Sequence, residues 1–87
     1  MIVTREDTPF ISGLQDLSQL SVAVQANTSH HGYIKEHSDI QPNLYGTLQD
    51  SLLAVSGGEV DSFVGNVASA TYWIRKLHLS NLKIAAP

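Results

Sequence analysis

The hydrophobic residues toward the carboxyl end of the chain recur at helical spacing. Successive members of the pattern lie four or three residues apart: Val60, Val64, Val67, Thr71, Ile74 and His78. Because an α-helix completes a turn in 3.6 residues, residues at these intervals share one face. The pattern predicts a helix over 59–79, with acidic residues in its first turn and basic residues in its last, as the helix dipole favours.

Two earlier segments repeat in the same way. The first pattern consists of Phe10, Leu14, Leu17, Ser21 and Val24. The second consists of Leu44, Leu48, Leu52 and Val55. They predict helices over 9–26 and 40–56, the second of which Gly57 and Gly58 end. Over residues 20–26 hydrophobic and polar positions also alternate at strand spacing, which competes with the second half of the first helix.

These patterns predict a single small all-α domain over residues 1–87. Helices 40–56 and 59–79 form an antiparallel hairpin, because the turn between them is short, and the first helix packs across both. Residues 27–38 begin with a polar cluster and show no sustained period, so they are expected to form a loop. The alternative is an α+β fold in which short terminal strands at 2–3 and 82–84 pair with each other.

Composition restricts the possible functions. The chain has 87 residues, of which 43% are hydrophobic and 15% charged, and a formal net charge of -3. This hydrophobic fraction is near that of globular domains and argues against disorder. The absence of cysteine excludes disulfides, thiolate zinc sites and cysteine nucleophiles.

The chain shows no membrane or secretory signal in sequence. Residues 1–7 lack a basic region followed by an apolar run, and no window approaches 18 uninterrupted apolar residues. We therefore expect a cytoplasmic protein.

The histidines are the first candidates for chemistry. His30, His31 and His37 lie close together in sequence, near Glu36 and Asp39, and imidazole and carboxylate groups are suitable zinc ligands. Solvated loop histidines are the simpler interpretation, because no two of these residues have the i, i+4 spacing of helical zinc sites. A metal-binding or acid–base site on this loop is the alternative functional hypothesis.

Enzymatic activity has little support in the sequence. A Gly-x-Ser-x-Gly nucleophile motif is absent, and no lysine follows Gly57-Gly58 at the spacing of a phosphate-binding loop. We expect neither catalysis nor a cofactor.

Nucleic-acid binding is a third, weaker hypothesis. Five lysines and arginines are too few for an extensive basic surface. The basic groups that could contribute lie in the carboxyl-terminal tail: Arg75, Lys76, His78 and Lys83.

The favoured hypothesis is a noncatalytic protein-interaction module or small regulatory protein, for which a homodimer through helix 59–79 is one form. Exposed aromatic residues anchor interfaces, and small residues let a partner approach closely. The predicted partner-binding residues are Phe63, Gly65, Tyr72, Trp73, Lys76 and Leu77.

Overall fold

The computed structural model describes residues 1–9, 11 and 13–86. Within this range the strands are β1 (Ile2–Arg5), β2 (Val22–Gln25), β3 (Asn43–Tyr45), β4 (Ser62–Val64) and β5 (Leu82–Ala86). The α-helices are α1 (Ser29–His37), α2 (Leu48–Ser56) and α3 (Val67–Lys76), and a 3-10 helix spans Leu14–Gln19. The fold is α+β.

The all-α prediction is therefore wrong, because the strands form a sheet at the centre of the molecule. The predicted helix 9–26 contains the short 3-10 helix and then β2, while its first position, Phe10, lies outside the described residues. The predicted loop 27–38 contains α1. This helix has one buried residue, Ile34, so its sequence has almost no hydrophobic periodicity to detect.

The other two predicted helices each begin with a strand. Helix 40–56 is replaced by β3 followed by α2, whose end at Gly57 agrees with the prediction. Helix 59–79 is replaced by β4 followed by α3. A predicted helical hairpin is thus two strand–helix units.

The α+β alternative is confirmed by the pairing of the terminal strands. β1 and β5 are antiparallel, with Val3 opposite Ile84 and Ile2 opposite Ala86. β1 also pairs antiparallel with β4. The first strand of the chain thereby joins its last strand to the centre of the sheet.

The order of the strands reverses at β2: the next strand in the chain, β3, lies on one side of it, and β4 lies on the other. Among the described residues the sheet has five strands in the order β3-β2-β4-β1-β5, and β2 is parallel to both β3 and β4. The chain passes from β2 to β3 on one side through α1, and then through α2 to β4 on the other side. Such a reversal opens a crevice beyond the carboxyl ends of the parallel strands.

Hydrophobic residues cover both faces of the sheet. Neighbouring residues of one strand alternate between the two faces. One cluster joins the sheet to α2 and α3: Val3, Ala23, Leu52, Ala54, Val55, Val60, Phe63, Ala70 and Leu82. The other joins it to α1 and the 3-10 helix: Ile2, Ile11, Leu17, Val22, Val24, Ile34, Val64 and Ala86. No helix in the described ranges is long and apolar enough to cross a membrane.

A polar side chain caps the amino terminus of each α-helix named above. Thr28 accepts a hydrogen bond from the backbone N–H of His31, and Thr47 accepts one from that of Asp50. Asn66 accepts one from the N–H of Ser69 at 3.0 Å. These caps supply partners for backbone donors that the first helical turn cannot satisfy.

At the amino ends of the parallel strands, Arg5 and Asp61 join distant segments. The Arg5 guanidinium donates to the carbonyl oxygens of Val55 and Val60 at 2.8 and 2.7 Å, and to Asp61 Oδ1 at 3.1 Å. Asp61 Oδ2 accepts from both the backbone N–H and the hydroxyl of Ser21. β1, the end of α2 and the start of β2 are thus held together.

This network predicts a loss of stability in acid. Hydrogen bonds from Ser21, together with the nearby Arg5, lower the pKa of Asp61 below its ordinary value. A carboxyl whose pKa is lower in the folded state contributes stability above its unfolded pKa, and that contribution is lost as pH falls through the folded pKa. Urea unfolding between pH 7 and pH 2.5 is expected to show a steeper decline, below about pH 4, for the native chain than for Asp61→Asn. Equal declines would contradict this role of Asp61.

Candidate functional site

A pocket of about 140 Å³ lies at the carboxyl ends of β2 and β4, in the crevice that the reversal of strand order creates. It is lined by residues from the two strands and from the segments that lead into the helices: Gln25, Thr28, His30, Leu48, Phe63, Val64, Gly65, Asn66 and Ser69. The parallel arrangement explains the grouping, because parallel strands bring their following loops to one edge of the sheet.

The local sequence places each polar lining residue. Gln25 is the last residue of β2, and Thr28 caps α1 three residues later. Asn66 and Ser69 begin α3 immediately after β4. Two short connections therefore bring polar side chains and the amino termini of two helices to the same pocket.

Phe63 and Gly65 form part of the apolar lining. The Phe63 side chain is 1% exposed, and its ring lies against Gly65. A Cβ atom at residue 65 would lie 2.3 Å from Cζ of that ring. Only glycine leaves room for the ring in this position.

The hydrogen bonds within the pocket leave several polar groups available. The Thr28 hydroxyl donates to the carbonyl of Gln25 at 2.8 Å, and Asn66 Oδ1 is occupied as the α3 cap. Within the described part of the chain, no hydrogen bond is found for the side chains of Gln25, His30 or Ser69. These groups can bind a polar ligand without breaking an existing bond.

His30 brings a titratable group to the pocket. Burial lowers its pKa below the ordinary value, and the α-ammonium group of Met1 lowers it further. The neutral form is therefore favoured near pH 7, in which one ring nitrogen donates and the other accepts a hydrogen bond.

The structure places the predicted partner-binding residues in different surroundings. Phe63 and Gly65 line the pocket, whereas Trp73 is half-buried against the α2–α3 cluster. Tyr72 is 54% exposed, and the Lys76 ammonium lies 5.8 Å from the centre of its ring. Leu77, at the end of α3, is half-buried. The predicted set does not form one surface, and its role in protein binding stays a prediction.

The histidines that suggested a metal site lie on α1 rather than in a loop. His30 lines the pocket, whereas the His37 ring packs against Tyr33 with 4.3 Å between ring centres. Among the described residues, no group of three or more histidine, aspartate or glutamate side chains is placed to hold a metal ion.

The sequence-based prediction missed most of the polar lining. Gln25, Thr28, Asn66 and Ser69 were not singled out, although a signal was present. Gln25 and Thr28 follow the short apolar run of β2, and Asn66 and Ser69 follow that of β4. Thr28 and Asn66 are residue types that favour helix N-caps. A cap directly after such a run is typical of a strand followed by a helix.

Comparisons with solved structures agree with this geometry. The chain superposes on a histidine kinase sensor domain with similarity to periplasmic binding proteins, with a TM-score of 0.89, 32% identity and coverage of 98% of this chain and 38% of that one. It also superposes on domain 2 of TmArgBP, with a TM-score of 0.86, 26% identity and coverage of 99% and 92%. The fold is that of a periplasmic-binding-protein-like domain.

A third similar structure is a variant of arginine-bound ArgBP from T. maritima, with a TM-score of 0.85, 26% identity and coverage of 99% of this chain and 40% of that one. The chain thus spans 38–40% of two of these proteins but almost all of the isolated domain 2. No family model matches the sequence, and no curated protein matches it either.

Proposed function

We propose that this chain is a noncatalytic ligand-binding domain whose pocket holds the carboxylate end of a small polar molecule. The observation that carries the proposal is the position of the pocket, at the carboxyl ends of β2 and β4 where the strand order reverses. The similarity of the chain to domain 2 of TmArgBP, and to an arginine-bound ArgBP, supports a small ligand that carries a carboxylate.

The electrostatics of the pocket favour the carboxylate end of such a ligand. Thr28 and Asn66, the caps of α1 and α3, both line it, so the positive ends of two helix dipoles lie beside it. Neutral donors on Gln25 and Ser69 add hydrogen-bonding capacity. A carboxylate is the amino-acid group that matches this combination.

The size of the pocket implies that other protein surface completes the site. A pocket of about 140 Å³ is smaller than the roughly 300–1,000 Å³ of most ligand sites. It can surround only part of an amino acid. Since the chain corresponds to less than half of two of the similar proteins, we propose that a second domain covers the rest of the ligand.

An NMR titration of the 87-residue chain with L-arginine tests the proposal. We expect concentration-dependent shifts of the amide signals of Gln25, Thr28 and Ser69, with weak affinity because only part of the ligand is enclosed. Ser69→Phe should abolish these shifts, because the exposed Ser69 position lets the ring occupy the pocket without entering the core.

Ser80→Phe is the matched control, since Ser80 is exposed in the turn before β5 and does not line the pocket. This variant should bind like the native chain. If neither L-arginine nor other amino acids and small carboxylates shift the pocket signals, the proposed function is wrong.

A further inference from the structure

The residues that line the pocket carry almost no charge. Of the described residues around it, none is acidic, lysine or arginine, and His30 is the titratable side chain. A site that binds an ammonium group normally supplies a carboxylate, because an ammonium ion removed from water without a counter-charge is costly. This pocket has no such group among those residues.

The acidic residues that are close in sequence to the lining residues Leu48 and Phe63 do not line the pocket. Glu59 accepts a hydrogen bond from the Tyr45 hydroxyl at 2.5 Å, and Asp61 is bound to Arg5 at the opposite end of β4. Asp50 lies in the first turn of α2, and neither it nor Glu59 lines the pocket. None of these carboxylates is a lining group to which a ligand ammonium could bind.

Asn66 decides the polarity of this part of the pocket. Its Oδ1 atom accepts the N–H of Ser69 at 3.0 Å, which directs this oxygen toward the first turn of α3. The remaining end is an NH₂ group, which donates hydrogen bonds and disfavours a neighbouring ammonium. The side chain that lies between β4 and α3 therefore suits an acceptor on the ligand.

We infer that this pocket by itself prefers small carboxylates without an ammonium group on the carbon next to the carboxylate over the corresponding amino acids. This inference rests on the proposed function and narrows its ligand. The carboxylate accepts hydrogen bonds from Asn66 and its neutral neighbours. The adjacent carbon carries hydrogen or a hydroxyl group where an amino acid carries its ammonium.

Matched ligand pairs test this selectivity. L-arginine is compared with 5-guanidinopentanoate, and L-glutamate with glutarate, by NMR titration of the 87-residue chain. In each pair the second molecule lacks only the α-ammonium group. We expect the deaminated molecule to bind at least as tightly as the amino acid. A preference of about tenfold or more for the amino acids, which corresponds to about 1.4 kcal/mol, would overturn the inference.

A variant of Asn66 provides the reciprocal test. Asn66→Asp keeps an N-cap acceptor for Ser69 and places a carboxylate in the pocket. We expect it to shift the preference within each ligand pair by about tenfold toward the amino acid. Asn66→Ser also caps the helix but adds no charge, so its shift in preference should be much smaller than that of Asn66→Asp.

The outcomes separate this inference from the proposed function. Binding of both ligand types with preference for the amino acid contradicts the inference and leaves the ligand-binding function standing. Binding of neither type contradicts both. The Asn66→Asp variant is first shown to have the same urea midpoint of unfolding as the native chain. If its ligand preference is then unchanged, the role assigned to Asn66 is contradicted.

Discussion

Replacing Gly65 with alanine is expected to destabilise the domain by about 3 kcal/mol, which is at the upper end of the range for overpacked cores. The new methyl group would lie 2.3 and 2.5 Å from two atoms of the Phe63 ring. Because Phe63 is 1% exposed and belongs to the α2–α3 cluster, a shift of its ring disturbs the packing of the core. Urea unfolding followed by circular dichroism measures the change.

Gly32→Ala is the matched control for Gly65→Ala. Gly32 is exposed on α1, and a Cβ atom there would meet nothing within 4 Å. The same substitution should therefore stabilise the domain by about 0.5–1 kcal/mol, because alanine is the better helix former. A Gly65→Ala variant as stable as the native chain would show that the contact with Phe63 does not restrict this position.

Replacing Arg5 with methionine is expected to cost about 2–3 kcal/mol. The guanidinium donates to two backbone carbonyls and to Asp61, and hydrogen bonds to charged groups contribute about 1.5–3 kcal/mol each before the methionine regains some packing. The carbonyl of Val60, a residue that is 1% exposed, would lose its side-chain donor. The free energy of unfolding in urea at pH 7 gives the result.

Arg5→Lys separates charge from geometry in the same measurement. A lysine ammonium retains the charge but lacks the planar fork that contacts several acceptors at once. We expect it to recover less than half of the loss seen in Arg5→Met. Full recovery would mean that charge alone accounts for the contribution of Arg5, and an Arg5→Met variant of native stability would exclude the network as a stabilising element.

The sequence predicted the positions of some boundaries better than the types of the elements between them. Gly57 and Gly58 were expected to end a helix, and α2 ends at Ser56. The terminal strands were foreseen in the α+β alternative, and β2 coincides with the alternation noted over residues 20–26. A helix was nevertheless favoured there, and β4 was missed, because a central strand covered on both faces has no polar face to reveal it. Val22, Ala23 and Val24 are all buried, as are all residues of β4.

The strongest predicted helix shows how two elements can imitate one. Val60 and Val64 lie before and in β4, whereas Val67 begins α3. Their spacing of four and three residues fits a helix, although the chain changes from strand to helix between them. Gly65 and Asn66 lie where that change occurs, since Gly65 makes a close contact with Phe63 and Asn66 caps α3.

The candidate site was less predictable than the fold. Phe63, Gly65 and His30 were named from the sequence, but for protein or metal binding rather than for a shared pocket. Their proximity depends on β2 lying beside β4, and this pairing joins residues about 40 positions apart. Hydrophobic periodicity describes only neighbours within one element, so it cannot indicate which loops meet.

The position of Trp73 gives the molecule an intrinsic fluorescent reporter. Trp73 lies one helical turn after Ser69 on α3, and residues four apart are neighbours on a helix surface. Its indole is half-buried against the core and meets the Tyr72 ring edge-on at 5.1 Å between centres. As the single tryptophan of the chain, it should change its emission when the core around it unfolds, so that fluorescence follows the α2–α3 side of the sheet alone.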